Sequence, residues 1–288
     1  MISPRNTAAW IAIAAALGAA PAFAEPIRTI DIFTRPQAAQ PSEFQFTQLI
    51  AQEWRKLGLD VEVNDVPWEQ MIQEIWFSRD DWDTTAWQMV GRPERSDPDE
   101  IICNLFHSST AEKGFNFIGY ENPEYDALVE QQRVTLDEDE RREIVRQAQA
   151  VLAADQPNMM LAHPQSTYAF NSEVWDADTI VTQSGIGIRN TWTYLGATPL
   201  GEQTDLILNS SDNVTAINPL YISGGTDSWI TELVWDRLMR IGPDGLPQPW
   251  AATGYEWLDD TTIVVTLRDD MSWHDGKPVT AEDVKFSF

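Results

Sequence analysis

Residues 262–288 read TIVVTLRDDMSWHDGKPVTAEDVKFSF. The run Thr262–Leu267 is apolar and β-branched, the composition of a strand, because branched side chains pack well on a pleated surface. Asp275-Gly276 is a turn signal, since glycine tolerates the positive φ of a tight reversal. Thr280 stands three residues before Asp283. Its hydroxyl suits a free backbone N–H at a helix start, and the carboxylate suits the positive end of the helix dipole. The stretch predicts strand, tight turn, helix start. That helix has room for about two turns before Phe288, too few to be stable alone. Phe286 and Phe288 are still apolar, so the chain is expected to be a fragment.

Working upstream, Gly242-Pro243-Asp244-Gly245 is a strong turn. A helix is expected from about Asp227, with Ile230, Leu233, Val234 and Leu238 on its apolar side. Asn218-Pro219 and Gly224-Gly225 read as loop, and Leu206–Leu208 as a short strand. Nearer the start, Thr29–Thr34 alternates as a strand does. Ser42 and Gln45 form a capping-box pattern for a helix whose apolar face is Phe46, Leu49, Ile50, Trp54 and Leu57, with Gly58 as its stop. Leu59–Val63 reads as the next strand, giving β-α-β, the unit of a parallel sheet. A second helix carries Met71, Ile72, Ile75 and Trp76, followed by a strand over Asp83–Val90 and a loop over Gly91–Glu100. Asn122-Pro123 opens another helix. Asp137 and Glu140 cap the clearest one, which buries Ile144, Ala148, Val151 and Leu152 and ends before Pro157. Met159–His163 reads as a strand.

The first residues are of another kind. Arg5, the apolar run Ala8–Ala20 and Ala22-Phe23-Ala24 predict a secretory signal peptide over 1–24, cut after Ala24. The apolar run is shorter than the ~20 residues of a membrane span. Cys103 is the lone cysteine, so neither a lipoprotein cysteine after the cleavage site nor an intrachain disulfide is expected. Together these features point to a soluble protein of a bacterial periplasm. The net charge of −26 argues against nucleic acid and anionic membrane surfaces as partners.

Catalytic motifs are missing from the sequence. His107, His163 and His274 lie in unrelated settings, none with a second His or Cys at metal-ligand spacing. Each is expected to be structural, His274 bracing its turn. There is no Gly-rich phosphate loop and no G-x-S-x-G elbow. Acidic residues are so frequent that a hydrolase's carboxylate pair has no motif to mark it.

The last stretch also closely resembles a known signature. Leu267–Asp269 (Leu-Arg-Asp), Trp273–Gly276 (Trp-His-Asp-Gly), Thr280–Val284 (Thr-Ala-Glu-Asp-Val) and Phe286–Phe288 (Phe-Ser-Phe) match it in order. It is the signature of the extracellular solute-binding proteins of family 5, the peptide/nickel-type receptors of ABC importers. Glu232–Leu238 and the Gly242–Gly245 turn resemble the segments that precede it near the start of such receptors. Leu57-Gly58-Leu59, Asp97-Pro98-Asp99, Phe106–Ser109, Gly119–Pro123 and Ala148–Pro157 resemble segments from their far end. The resemblance implies an α/β fold, periplasmic-binding-protein-like (type II). Residues 25–197 would be a C-terminal-type lobe and 198–288 the incomplete opening of an N-terminal-type lobe, in swapped order. It implies a monomer without cofactor that holds a peptide or similar small solute between two lobes and hands it to an inner-membrane ABC permease. A truncated remnant that binds nothing, or a secreted hydrolase, are the alternatives.

Site candidates follow from position. The loop Trp87–Asp99 should leave the carboxyl end of a strand, where open α/β sheets bind ligands. In peptide receptors of this family an acidic residue of that loop meets the peptide's ammonium group. The resemblance gives that role to Asp97, with Asp99 and Glu94 as rivals. Arg92 and Arg95 present planar donor forks suited to a carboxylate or phosphate, or else pair with surrounding acids on the surface. Tyr221–Asp227 precedes a helix whose N–H groups favour carbonyl or anionic groups, and Gly224 and Gly225 would let a ligand backbone approach. The alternative there is a plain tight loop. Of 13 tryptophans, Trp54 and Trp76 read as core packing and Trp87 and Trp229 as pocket walls.

Overall fold

The computed structural model describes residues 28–79, 82–89, 91–163, 165–183, 185–209, 214, 217–221 and 225–288. The expected signal peptide over 1–24 and Gly224 lie outside the described residues.

The fold class read from the sequence, α/β, holds. Strand β1 (Ile30–Thr34) is followed by helix α1 (Pro41–Lys56) and strand β2 (Val61–Asp65), and β2 returns parallel to β1 with Ile30 opposite Val61 and Ile32 opposite Val63. A third parallel strand, β3 (Thr84–Thr85), pairs on the other side of β1, giving the order β2-β1-β3. Between β2 and β3 run α2 (Trp68–Ile72) and a wider π turn, Gln73–Ser78. Of the strand expected over Asp83–Val90, only Thr84–Thr85 is paired among the described residues. Asp83 itself accepts from the Asp31 backbone N–H at 2.9 Å and binds the Arg28 guanidinium. These contacts, the backbone bond foremost, hold its carboxyl below the usual range.

Helix α1 corrects two expectations. It opens at Pro41, with Gln40 as N-cap and no side-chain cap, so Ser42 does not cap it. Proline at the first position needs no N–H partner and already has a helical φ. Its buried side is Glu43, Thr47 and Ala51, with Ile50 and Trp54 packed against Ile32 and Val61, whereas Leu49 and Leu57 are exposed. The face is turned toward Glu43 because that carboxylate is held inside by Arg35. The stop is as expected: Gly58 has φ +86, its N–H reaches Arg55 O and the Leu59 N–H reaches Trp54 O. These are the two bonds that close a helix through a left-handed glycine.

The expected loop over Gly91–Glu100 is partly helical. A 3-10 turn, Pro93–Ser96, leads into α3 (Asp99–Phe106), whose first turn carries Asp99 and Glu100 at the positive end of its dipole. Helices α4 (Pro123–Val134) and α5 (Glu138–Asp155) follow, capped by Asn122 and Asp137 as their sequences predict. Ile102, Cys103, Phe106, Tyr125, Val129, Val145 and Ala148 form the larger apolar core between these three helices, with Val151 and Leu152 at its margin. The Tyr125 hydroxyl donates to Ile102 O at 2.6 Å, so the buried ring keeps its polar end satisfied.

Beyond α5 the expected strands at Met159–His163 and Leu206–Leu208 are unpaired extended chain, largely exposed. Short helix α6 (Thr191–Gly196) and helix α7 (Gly225–Val234) follow. The buried side of α7 is Thr226, Asp227, Ser228 and Thr231, while Leu233 and Val234 are exposed and Leu238 lies past the helix end. The expected apolar face is therefore not the packed one. Two antiparallel pairs come next: β4 (Met239–Ile241) with β5 (Pro247–Pro249), and β6 (Ala252–Asp259) with β7 (Thr262–Leu267). The final reading holds in detail. Gly276 turns at φ +83, and Thr280 and Asp283 form a reciprocal capping box at the start of α8 (Ala281–Ser287). His163 and His274 are exposed, and His107 is buried with Nδ1 2.8 Å from Ser109 Oγ.

Candidate ligand-binding site

Two groups of side chains meet the description of a recognition site. The first lies at the carboxyl edge of the parallel sheet. The order β2-β1-β3 reverses direction at β1, and ligands of open α/β sheets enter beside such a switch point. Chain leaving β1, β2 and β3 delivers Arg35, Trp68 and Trp87 to this edge. The π turn adds Trp76 and the loop before α4 adds Phe117 and Phe115. Trp76 stands 5.4 Å from Trp68, 5.8 Å from Trp87 and 6.0 Å from Phe117, nearly parallel to the last. The Arg35 guanidinium lies 5.2 Å over the Trp68 ring and is bound by the buried Glu43 carboxylate at 2.5 Å. A cation, an acid and a wall of half-buried rings thus share one edge. Trp76, expected only to pack, belongs to this wall together with Trp87. The contributions of Trp68, Phe117 and Arg35 had no sequence signal, because they come together only through the sheet.

The second group is a polar seam between the 3-10 turn Pro93–Ser96, the loop before α6, helix α7 and strand β4. Gly91 makes the approach possible: a side-chain carbon there would stand 1.7 Å from the Gly185 carbonyl oxygen. Glu94 binds Arg237 directly. Glu232 is held at both oxygens, by Arg237 Nε at 3.3 Å on one and by Thr191 Oγ1 at 2.6 Å and Arg240 Nη1 at 3.5 Å on the other. The Trp192 ring N–H and the Gln183 amide both donate to Ile241 O. Arg189 stacks on Trp229 at 4.5 Å and on Tyr168 at 5.4 Å. Burial, and then the charge of Arg92, pull the Arg95 guanidinium down to about 10, against the raising pull of Glu100 and Glu94. Burial pushes the Tyr194 phenol up to about 12, against the pull of Arg189.

A small pocket opens in this seam, lined by Gln183, Arg189, Thr191, Ser228, Trp229 and Glu232 among others. The space inside it is about 10 Å³, room for about one water, far below the ~300–1,000 Å³ of sites that enclose a whole small molecule. A larger groove along the outer side of α1, lined by Gln37, Phe44, Gln48, Leu49, Gln52 and Arg55, is an open helix surface with no buried charged group converging on it.

The sequence candidates fall into place as follows. Trp87 joins the aromatic wall, and Trp229 lines the seam pocket. Arg92 and Arg95 flank the buried Pro93 on the seam. Gly225 is the first residue of α7, and Tyr221 is exposed. Asp97 faces away from both groups: its carboxylate binds Arg141 at 2.6 Å and the Asp99 N–H at 2.9 Å. Its carboxyl lies below the usual range, burial pulling up and the Arg141 contact pulling down more. Asp99 in turn binds the Gln132 amide and Arg133. Among the described residues no group of three His, Cys, Asp or Glu is arranged to hold a metal ion, and no helix is long and apolar enough to cross a membrane.

Residues 247–288 match the family model described as bacterial extracellular solute-binding proteins, family 5 Middle. The chain is 23% identical over 137 residues to the dipeptide-binding protein of Escherichia coli K12, a match covering 47% of this chain and 25% of that protein. It is 33% identical over 89 residues to the periplasmic oligopeptide-binding protein OppA of the same organism, covering 31% of this chain and 16% of that one. With the oligopeptide-binding protein AppA of Bacillus subtilis it shares 27% over 121 residues, 42% of this chain and 21% of the relative. The chain thus spans about a quarter or less of the length of these relatives. The structure of B. subtilis AppA in complex with a nonapeptide aligns with a TM-score of 0.39 at 22% identity, over 45% of this chain and 24% of that one. The strand pair, turn and capped helix over 247–288 are the part of the chain that matches the model of family 5 bacterial extracellular solute-binding proteins, and the chain is similar to a dipeptide-binding protein over nearly half its length.

Proposed function

We propose that this protein is the solute-binding component of an ABC importer, working in the periplasm by binding alone, without chemistry, and delivering a peptide or similar small solute to a membrane permease. The observation that carries the reading is the family match over 247–288, a segment that forms a strand pair, a Gly276 turn and a Thr280–Asp283 capping box. In this reading 25–197 is the C-terminal-type lobe and 198–288 belongs to the N-terminal-type lobe. Ligand contacts come from the aromatic wall around Trp87, and from Arg92, Arg95, Gly225 and Trp229 where the segments meet. Closure of two lobes on a solute is a population shift toward the form with better ligand contacts. The test is tryptophan fluorescence titration of the full chain with di-, tri- and tetrapeptides, because Trp68, Trp76 and Trp87 share the proposed wall. Saturable change with at least one peptide length, abolished by Trp87→Ala, is the expected result. No change with any peptide rejects peptide binding by this chain.

A further inference from the structure

We infer that the aromatic wall at the carboxyl edge of the sheet is a specificity subsite for an uncharged aromatic ring of the solute, and that Arg79 is the positioning residue that sets it. This rests on the solute-binding reading above and names the chemistry of one part of the ligand. The rings of Trp68, Trp76, Trp87 and Phe117 are half-buried, and Phe115 is 46% exposed. They pack on one another and belong to neither apolar core cluster. Trp76 meets Trp68 at 86° and Phe115 at 82°, edge to face, and lies within 19° of parallel to Phe117. Such an array takes up a further ring through the same quadrupole geometry, which an aliphatic side chain of equal size cannot use. The guanidiniums of Arg35 and Arg79 are engaged by Glu43 and by backbone carbonyls, so the rings rather than a charge make the contact.

The backbone beneath the wall departs from regular structure where the rings converge. Helix α2 runs into the π turn Gln73–Ser78, a rare form that recurs at functional sites. The turn ends at Arg79 in the left-handed region, φ +58, where glycine is the usual residue. A larger residue there is strained, and such strain collects at ligand sites. The Arg79 side chain folds back, Nε donating to Trp76 O at 3.0 Å and Nη2 to Gly114 O at 2.6 Å. One guanidinium thus ties the turn that carries Trp76 to the loop that carries Phe115 and Phe117. Asn116 fixes that loop from the other side. It is fully buried, its amide donates to His107 O and Tyr120 O, and its oxygen accepts the Tyr120 N–H. With Asn116 turned inward, its neighbours Phe115 and Phe117 both reach Trp76. Rings held in place before binding lose little freedom when a ligand arrives, so the geometry is spent on selecting it.

The experiment is calorimetric titration of the full chain with trialanine, the three tripeptides that carry one phenylalanine among alanines, their cyclohexylalanine counterparts, and indole. The wild type is compared with Phe115→Ala, which removes an exposed ring, and with Arg79→Gly, which removes the guanidinium and suits the positive φ. Circular dichroism checks that each variant is folded. At least one phenylalanine peptide is expected to bind roughly three- to tenfold more tightly than its cyclohexylalanine counterpart. Both variants are expected to lose most of that preference. Equal binding of the phenylalanine and cyclohexylalanine peptides by the wild type overturns the aromatic subsite and leaves solute binding standing. A wild-type preference in Arg79→Gly overturns the positioning role. Indole binding that the variants weaken, with no peptide bound, upholds the subsite and rejects the peptide. No binding of any probe overturns both.

Discussion

Replacing Glu43 tests what holds the carboxyl edge of the sheet. Its side chain is 1% exposed and accepts the Arg35 backbone N–H at 3.2 Å, Nε at 3.1 and 3.2 Å and Nη2 at 2.5 Å. Arg35 keeps 13% of its side chain exposed and lies over Trp68. Glu43→Leu leaves the guanidinium without a counter-charge and the N–H without an acceptor. Removing one partner of a buried pair costs ~3–5 kcal/mol, and the remaining access of Arg35 to water favours the lower end. The orphaned N–H adds ~1–3 kcal/mol, and the buried leucine returns ~2 kcal/mol. The expected loss is about 3 kcal/mol. Glu43→Gln keeps an acceptor for the N–H but not the charge, and should cost about 2 kcal/mol. The double variant Arg35→Met/Glu43→Leu removes both charges and should return to within ~1 kcal/mol of the wild type. Urea unfolding followed by circular dichroism reads these values from the midpoint at a common slope. The reasoning fails if either single variant lies within ~0.5 kcal/mol of the wild type, or if the double variant is no more stable than Glu43→Leu.

Other outcomes follow from the same contacts. Tyr120 is pushed up to about 12 by burial and then by its 2.7 Å hydrogen bond to Asp155, and Tyr194 to about 12 by burial. A phenol whose folded pKa exceeds the unfolded ~10 stabilises the fold fully below that value and ceases to as pH rises through the folded one. The urea midpoint should therefore hold to about pH 9 and fall between about 10 and 12; Tyr120→Phe should shrink that fall, and an unchanged profile counts against it. Gly91→Ala would drive its new carbon to 1.7 Å from Gly185 O, a backbone atom, and so should cost ~2–3 kcal/mol or more by the same unfolding assay. A wild-type midpoint would mean that the seam is not closed as described.

What the sequence showed best was local. The caps at Asn122, Asp137 and Thr280, and the glycine reversals at Gly58 and Gly276, depend on residues within one turn of one another, and each folds as read. The parallel pairing of β1 and β2 followed from strand, helix and strand in close succession. Strands at 159–163 and 206–208 failed because an apolar run says nothing about whether a partner strand is available. In α3 the Asp97-Pro98-Asp99 sequence looked like loop, though a proline followed by acids equally opens a helix. Helix α7 had the right period and the wrong face, since its packed side faces a polar seam and is itself Thr, Asp and Ser. The aromatic wall draws rings from 68 to 117, and only the sheet brings them together. For the same reason the partner of Asp97, Arg141 on α5, was invisible at the level of motif.

The distribution of apolar and polar burial bears on how a two-lobed receptor would move. Both apolar clusters, one beneath β1 and α1 and one among α3, α4 and α5, lie between residues 30 and 152. Residues 225–288 contribute Ala251 and Ala252 to the buried apolar set, while their contacts to the earlier part include Glu94–Arg237, Thr191–Glu232, the donors onto Ile241 O, and the ring contacts Trp192–Trp250 and Arg189–Trp229. Apolar burial is lost in full when surfaces separate, whereas a hydrogen bond across a seam is exchanged for one to water at a net cost near 1 kcal/mol. A seam of that kind separates and re-forms more readily than a core, as interfaces between moving domains do. In the proposed division at 197/198 it is also where the two lobes touch. The unpartnered donors of Arg189, Ser228 and Trp229 face that same boundary.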